Sequence, residues 1–404
     1  MTTRNEEKNT VVELPSDGTP LCPSGNFDQW RKDGPAVPLR YQDGHIGHIA
    51  LDHNLARAVL EDLGFSMRPF RLPVAENVPL TTDMPSYDEA ARTGLSSSDL
   101  LSLDGEVHSR ARRVVLPKLS VKVVRSLMPQ VQAIIQQQIE KLKTLSGSVD
   151  LTHEYSEPIS FATHSILLGF DGYLVEEYRT IFTSDASSQQ QFEFARRLIA
   201  KKRENLGDDL LSTLINSELT QDEQEALTLV LLVSGRDSIS YFITTSILAL
   251  LKNPSQLEIL KTEPEKITGA VEELIRYGTM FLTLFPRTAV VDFELDGYKV
   301  AAGESVSVSA VAANRDPGRF ENPDVLDINR SAAGHIGFGH GIHSCLGQQF
   351  ARAVLSEAIP KFFDEFPDAK VRSAEQDSPI KFAHPIATYH AGSLELDLTG
   401  ESRG

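Results

Sequence analysis

Phe338-Gly339-His340-Gly341-Ile342-His343-Ser344-Cys345-Leu346-Gly347 holds one of only two cysteines in a chain of 404 residues. Glycines break the loop, and Leu346, Phe350, Val354, Ala358 and Phe362 then recur at helical spacing. The pattern predicts a helix opening at Cys345, where unpaired backbone N–H groups and the helix dipole favour thiolate over thiol. Gly339, Gly341 and Gly347 would let something flat or bulky approach the backbone. A single thiolate presented in this way suits a metal with one protein ligand, and haem iron is the leading case. Other uses stay open at this point. A buried cysteine can simply be a small hydrophobe. His343 could serve Cys345 as a base, although two residues of separation rarely give that geometry. Zinc on His335, His340, His343 and Cys345 would need spacings that match no common zinc pattern. The spacing of Gly337, Gly339 and Gly341 misses G-x-G-x-x-G, and no phosphate-contacting lysine follows, so the loop is not a nucleotide cradle.

Composition narrows the class. No linker, repeat or low-complexity block divides the chain after its first two dozen residues. This predicts a polar, mobile arm over 1–23 and a single, mainly helical domain over 24–404. A hydrophobic content of 41% is ordinary for a globular protein. The first residues, Met1-Thr2-Thr3-Arg4-Asn5-Glu6-Glu7-Lys8, contain no apolar stretch, so neither signal peptide nor membrane anchor is expected. Cys22 and Cys345 cannot build a disulfide framework, and a reducing cytoplasm fits. A formal charge of −17 argues against nucleic acid or an anionic membrane as the main partner.

The strongest helix signal runs from Ser217 to Leu251. Thr220 and Glu223 form a capping box, Asp222 adds charge to the first turn, and Asn253-Pro254 ends the run. Ser234-Gly235-Arg236-Asp237-Ser238 interrupts its apolar residues. Charges at the midpoint would be costly in lipid, so a helix through a large core is expected. Glycine in a helix interior costs about 1 kcal/mol relative to alanine, and a buried carboxylate needs partners, which points to use rather than stability. A kinked helix facing a polar seam is the alternative.

Two weaker motifs flank this helix. Glu273 and Arg276 lie three apart on one helix face, which alone would read as a surface ion pair. His108 and Arg112, one turn apart, aim two donors in one direction and suit a carboxylate or phosphate on a ligand. A solvated basic face would look the same.

Taken in order, H-x-x-x-R, the glycine-acid-hydroxyl helix, E-x-x-R and F-G-x-G-x-H-x-C-x-G resemble the cytochrome P450 family from about Tyr41 to the C-terminus. Ala313-Asn314-Arg315-Asp316-Pro317, with Phe320 and Pro323, is similar to the family's stretch before the cysteine loop. The resemblance implies the P450 fold: mainly α with a minor β region, and a long central helix over a haem held between helices. It implies haem b, with Cys345 as the proximal metal ligand and Phe338 and Gly347 beside the thiolate. His108, Arg112, Arg287 and His343 match the propionate-binding positions, and Gly235 falls with the cofactor-side residues. Glu273 and Arg276 match a fold-maintaining pair tied to the segment from Asn314 to Arg330.

On the distal side, Asp237 and Ser238 match the acid and alcohol that relay protons to dioxygen. Ser234 stands where alanine is frequent, Ser238 replaces threonine, and Ile239 follows where a second threonine is common. Serine keeps the proton chemistry but lacks the methyl group that restricts χ1. Substrate contacts are expected from the loop Ala75 to Leu101, from Phe281, Leu282, Thr283, Leu284 and Phe285, and from Ile386, Ala387 and Thr388. The apolar, aromatic middle run favours a largely hydrophobic small molecule. The segment from Gly169 to Lys201 looks short for the family's two lid helices, which suggests a reduced lid and a carrier-borne or peptide-like substrate. The resemblance therefore implies a monooxygenase that hydroxylates or epoxidises, supplied with electrons from NAD(P)H by a separate ferredoxin and ferredoxin reductase. Oxidative coupling or ring closure by the same oxidant is one alternative; a haem protein that senses a ligand without turnover is another.

Overall fold

The computed structural model describes residues 10–69, 71–76, 103–183, 186–374, 381–383 and 386–398. At its centre runs the helix Gln221–Lys252, about 48 Å long at 1.5 Å per residue. Both capping-box bonds form: the Glu223 N–H donates to Thr220 Oγ1 at 3.3 Å, and the Thr220 N–H to Glu223 Oε2 at 2.8 Å. At the other end Asn253 caps the last turn, and Pro254 opens the next helix at a position that needs no N–H donor. Every residue from Ile239 to Leu250 is buried, so this half is apolar all round because protein surrounds it. Among the described residues it is the one helix long and apolar enough to cross a membrane. Core packing accounts for that composition.

The helices Glu157–Leu168, Ser188–Glu204 and Gln348–Glu365 pack against the central helix. Val121–Thr144 joins the first and last of these. Phe350, Val354, Ala358 and Phe362 are buried, as their spacing predicts. The minor β region holds a five-stranded sheet in the order Ala36–Arg40, Ile46–Ala50, Ser305–Val308, Arg287–Ala289, Phe65–Ser66. Only Ile46–Ala50 and Ser305–Val308 pair in parallel. This sheet fixes Arg287 at the start of a fully buried strand. The architecture is the expected one, mainly α with a minor β region.

The arm is different. Residues 1–9 lie outside the described residues, but from Thr10 the chain is anchored. The Val12 N–H donates to Pro38 O at 2.8 Å, the Arg40 N–H returns to Val12 O at 3.0 Å, and the Leu14 N–H reaches Val74 O at 2.8 Å. Val12 and Leu14, two apart, present one face of an extended segment, and Leu14 is fully buried. The polar average of the N-terminus concealed this short apolar alternation.

Glu273 and Arg276 are completely buried on the helix Ile267–Tyr277. Arg276 donates through Nε and Nη2 to both Glu273 oxygens at 2.7 and 2.8 Å, and through Nη1 to the carbonyls of Asn314 and Pro323. Glu273 also accepts from the Asp327 N–H and from Arg330 Nε, each at 3.1 Å. A buried pair with every strong group bonded is a structural clamp rather than a surface ion pair. It holds the segment that leads into the cysteine loop.

Candidate active site

The cysteine loop is set by backbone geometry. Cys345 N–H donates to Phe338 O at 2.8 Å, closing the loop on itself. Gly339 and Gly341 have φ of 68° and 70°, which side chains with a Cβ rarely adopt. The room at Gly341 is taken by protein: a Cβ there would meet the Leu60 carbonyl and lie 3.0 Å from Glu61 Cα. Its glycine lets the helix His53–Glu61 approach, and does not open space for a ligand. At Gly347, in contrast, a Cβ would sit 4.0 Å from Cys345 Sγ.

The following helix begins at Gln348, with Gly347 as its N-cap, three residues later than the sequence pattern suggests. Cys345 therefore lies just outside the helix. Its side chain is solvent-accessible, yet burial is the largest influence on its thiol and pushes it up from the ordinary value. Hydrogen bonds from the Gly347 and Gln348 backbone and the charges of Arg112 and Arg352 work in the opposite direction. The expectation that the free residue would favour thiolate is thus reversed by desolvation. A metal that takes the proton's place would be stabilised by the same N–H groups and cations.

Arg352 was not singled out in the sequence. It lies 4.5 Å over the Phe338 ring and is held by Glu272 through Nε at 2.5 Å and Nη2 at 2.9 Å. His335 Nε2 bonds the same carboxylate at 3.1 Å. Burial alone would raise Glu272, but the His335 and Arg352 bonds outweigh it and hold the group down at about 2. His335 thereby has a partner other than zinc, and the described residues contain no group of His, Cys, Asp or Glu arranged to hold a metal ion.

His108, Arg112, Arg287 and His343, scattered over 235 residues of sequence, meet beside the cysteine loop. The His108 and His343 rings lie 4.2 Å apart, and Arg112 Nη2 donates to Ser344 O at 2.8 Å. Burial, then the charges of His343 and Arg112, push His108 down to about 4. Burial pushes Arg287 down to about 10. Arg287 donates through Nη1 to Phe285 O at 2.8 Å and lies against the Met67 sulfur. Asp104, also missed in the sequence, accepts from Ser66 Oγ at 2.7 Å and from the Met67 N–H at 3.0 Å, which ties the start of the Gly105–Val115 helix to the sheet. His343 Nε2 lies 3.6 Å from Asp104 Oδ1, close enough to pair with it when the ring is protonated but beyond hydrogen-bond reach, so this buried nitrogen has no hydrogen-bond partner. A buried imidazole with an unused nitrogen, beside two guanidiniums, fits the carboxylates of a bound haem. With the Cys345 thiol two residues further along the same loop and Arg112 charged beside it, the residue set fits the group.

On the central helix, Ser234 and Ser238 share a face, and Ser234 and Asp237 are exposed. Burial raises the Asp237 carboxyl above its ordinary value; Arg236, at 3.3 Å from Oδ1, opposes the shift and Glu157 adds to it. The side chain is 57 % exposed, so solvent screens this shift. Ser234 Oγ donates to Val230 O at 2.6 Å. Gly235 corrects an expectation: a Cβ there would be 2.7 Å from His164 Cδ2, so its room is filled by an imidazole rather than by a cofactor.

The expected substrate contacts divide. Leu282, Thr283 and Leu284 are buried, Leu282 and Leu284 in the hydrophobic core, while Phe281 and Phe285 are only half-buried. Phe281 bridges Thr388, and the Tyr389 N–H donates to Met280 O at 2.8 Å, which brings the strand Ile386–Thr388 beside this run. Thr388 itself is buried. Of the loop Ala75 to Leu101, residues 77–101 lie outside the described residues. The lid segment forms two helices, Tyr173–Thr183 and Ser188–Glu204, the second packed on the central helix.

The family model for cytochrome P450 matches residues 174–387. Cytochrome P450 105C1 of a Streptomyces species is 30% identical over 393 residues, covering 93% of this chain and 95% of that protein. Pentalenic acid synthase of Streptomyces avermitilis is 30% identical, with 99% and 100% covered. The crystal structure of cytochrome P450 MoxA from Nonomuraea recticatena has a TM-score of 0.84 at 30% identity, covering 97% of this chain and all of that one. A cysteine loop whose preceding segment is clamped by a buried Glu–Arg pair, and a chain alike over nearly its whole length, lead to one conclusion: this protein belongs to the cytochrome P450 family and is a haem-iron monooxygenase.

Proposed function

We propose that the protein hydroxylates or epoxidises a largely hydrophobic small molecule of specialised metabolism, in the cytoplasm, with Asp237 and Ser238 delivering protons. One observation carries this reading: in the middle of an otherwise apolar helix an exposed carboxyl, Asp237, stands next to a hydroxyl, Ser238. Haem held by Cys345 would supply the dioxygen chemistry, with electrons from NAD(P)H through a separate ferredoxin and ferredoxin reductase. His108, Arg112, Arg287 and His343 would hold its carboxylates, and Phe338, Gly347 and Arg352 would shape the surroundings of the sulfur. Asp237 would take a proton from the solvent side, and the Ser238 hydroxyl would pass it to the distal face. Phe281 and Phe285 would offer apolar surface to the substrate, with Ile386 and Ala387 nearby.

Pentalenic acid synthase, by its name, supports a role in making a specialised product. Two formed lid helices, of 11 and 17 residues, withdraw the reduced lid as an argument for a carrier-borne or peptide-like substrate. Ser234 lends no support to an unusual outcome, because its hydroxyl is spent on a helical carbonyl. Substrates would be found by spectral binding to the ferric protein, then turned over with isotopically labelled dioxygen. One labelled oxygen in the product is the expected result; loss of two hydrogens without oxygen would replace this reading with oxidative coupling, and no product from any bound compound with a working redox chain would favour a ligand sensor.

A further inference from the structure

His164 and Tyr178 form a buried hydrogen-bonded pair between three helices. Tyr178, on the first lid helix, must donate its hydroxyl proton to Leu232 O on the central helix at 2.5 Å, since a carbonyl only accepts. Its oxygen is then free to accept from His164 Nδ1, on the helix Glu157–Leu168, at 2.8 Å. This assigns the proton of a neutral imidazole to Nδ1 and leaves Nε2 as a lone pair. That nitrogen lies against Gly235, where a Cβ would also be 2.8 Å from His164 Cε1. Burial, then the charge of Arg236, pushes His164 down to about 4, so the ring stays neutral.

Two further contacts converge on the same turn. Ser160, one turn before His164, donates to Arg236 O, and Arg236 donates through Nη1 to Phe182 O at the end of the lid helix. The Arg236 guanidinium also lies 5.4 Å over the Phe182 ring. The lid helix thus grips the central helix at both Leu232 and Arg236, on either side of Gly235. Asp237 and Ser238 follow immediately.

We infer that His164 is a positioning residue: through Tyr178 and Gly235 it latches the lid helix Tyr173–Thr183 to the turn that carries Asp237 and Ser238. This rests on the reading of those two residues as the proton relay. With the lid docked, the Tyr178 hydroxyl fixes Leu232 O and the imidazole fills the space at Gly235, so the turn has one place to sit. When the lid lifts, Leu232 loses a donor, Arg236 loses Phe182 O, and the turn can rotate. Proton delivery is then competent only under a closed lid.

The test uses haem-loaded wild-type protein, Tyr178→Phe and Gly235→Ala, each first checked for the carbon monoxide band given by cysteine-bound haem. Hydrogen exchange is followed in peptides from 173–183 and 229–240. Both variants should raise exchange severalfold in the two segments together. Exchange that rises in only one segment, in either variant that loads haem, overturns the latch. Should neither variant load haem, exchange in wild-type protein with and without a bulky haem-coordinating azole decides: the two segments must change together. The relay is read separately, as hydrogen peroxide released per NADH consumed with a surrogate ferredoxin and reductase. An Asp237→Asn variant with unchanged peroxide release would remove the relay reading and leave the latch standing on the exchange data.

Discussion

The proximal and distal sides of this molecule are built on opposite terms. On the proximal side, His343 Nε2 excepted, the polar groups are bonded: the buried Glu273 accepts from Arg276, Asp327 and Arg330, and the half-buried Glu272 holds Arg352 and His335. On the distal side Val233, Ser234 and Asp237 are exposed, and Arg236 keeps a buried Nε without a partner. A fully bonded buried network has one arrangement, because each lost contact leaves an expensive desolvated group. An incompletely bonded segment can adopt several. The first property suits holding a metal ligand in place, and the second suits a site that must admit substrate, exclude water and pass protons. The difference separates what every member of the family must do from what this one does.

Breaking the proximal side should have the largest effects. Cys345→Ala should abolish the carbon monoxide band for which the family is named, since the described residues offer no replacement thiolate near the haem carboxylate site; survival of the band would contradict the ligand assignment. Glu273→Gln leaves the buried guanidinium of Arg276 without its counter-charge, at a cost of about 3–5 kcal/mol, to be read by denaturant unfolding. A loss under about 1 kcal/mol, the range of exposed pairs, would show that the clamp is not what holds the loop.

Distal substitutions should leave the fold intact and act on chemistry. Asp237→Asn should lower product formation on the order of 100-fold, as for other positioned proton donors, with the carbon monoxide band unchanged. A smaller effect comes from pH. His164 is held at about 4, below its ordinary 6.5, so under pH 6.5 the unfolded chain binds a proton that the folded chain refuses. Its contribution to stability is intact above 6.5 and is lost as pH falls towards 4. Thermal unfolding of His164→Asn should therefore decline less steeply than wild type across that window, and parallel curves would place the ring's charge elsewhere. Ser238→Thr should have the smallest effect, a modest fall in peroxide per NADH as the added methyl restricts χ1. A rise would mean that the smaller residue is required.

Local chemistry was legible where a motif is both short and complete. The capping box at Thr220 and Glu223, the buried stripe Phe350-Val354-Ala358-Phe362 and the order of the four motifs all follow from spacing along one chain. Residues that act across space were not. Asp104, Arg352 and His164 look like ordinary surface or core positions until folding brings them to the loop and the central helix. Glycines show the limit well: Gly235 and Gly341 seemed to make room for a cofactor, yet one admits His164 and the other the backbone of Leu60 and Glu61. A missing Cβ signals close approach but not of what.

By itself, the sequence determined a mainly helical chain with one cysteine on a glycine-broken loop, four motifs in family order and a polar break in a core helix. These are properties of short segments, set by periodicity, capping and backbone freedom. Tertiary structure alone decided that the thiol is pushed up rather than down, that a buried imidazole nitrogen lies beside two guanidiniums without a hydrogen bond, and that the helix Tyr173–Thr183 is bonded to the central helix at Leu232 and Arg236. Those outcomes depend on burial and on contacts between distant segments, which change the energy of a charge or a hydrogen bond far more than its neighbours along the chain do.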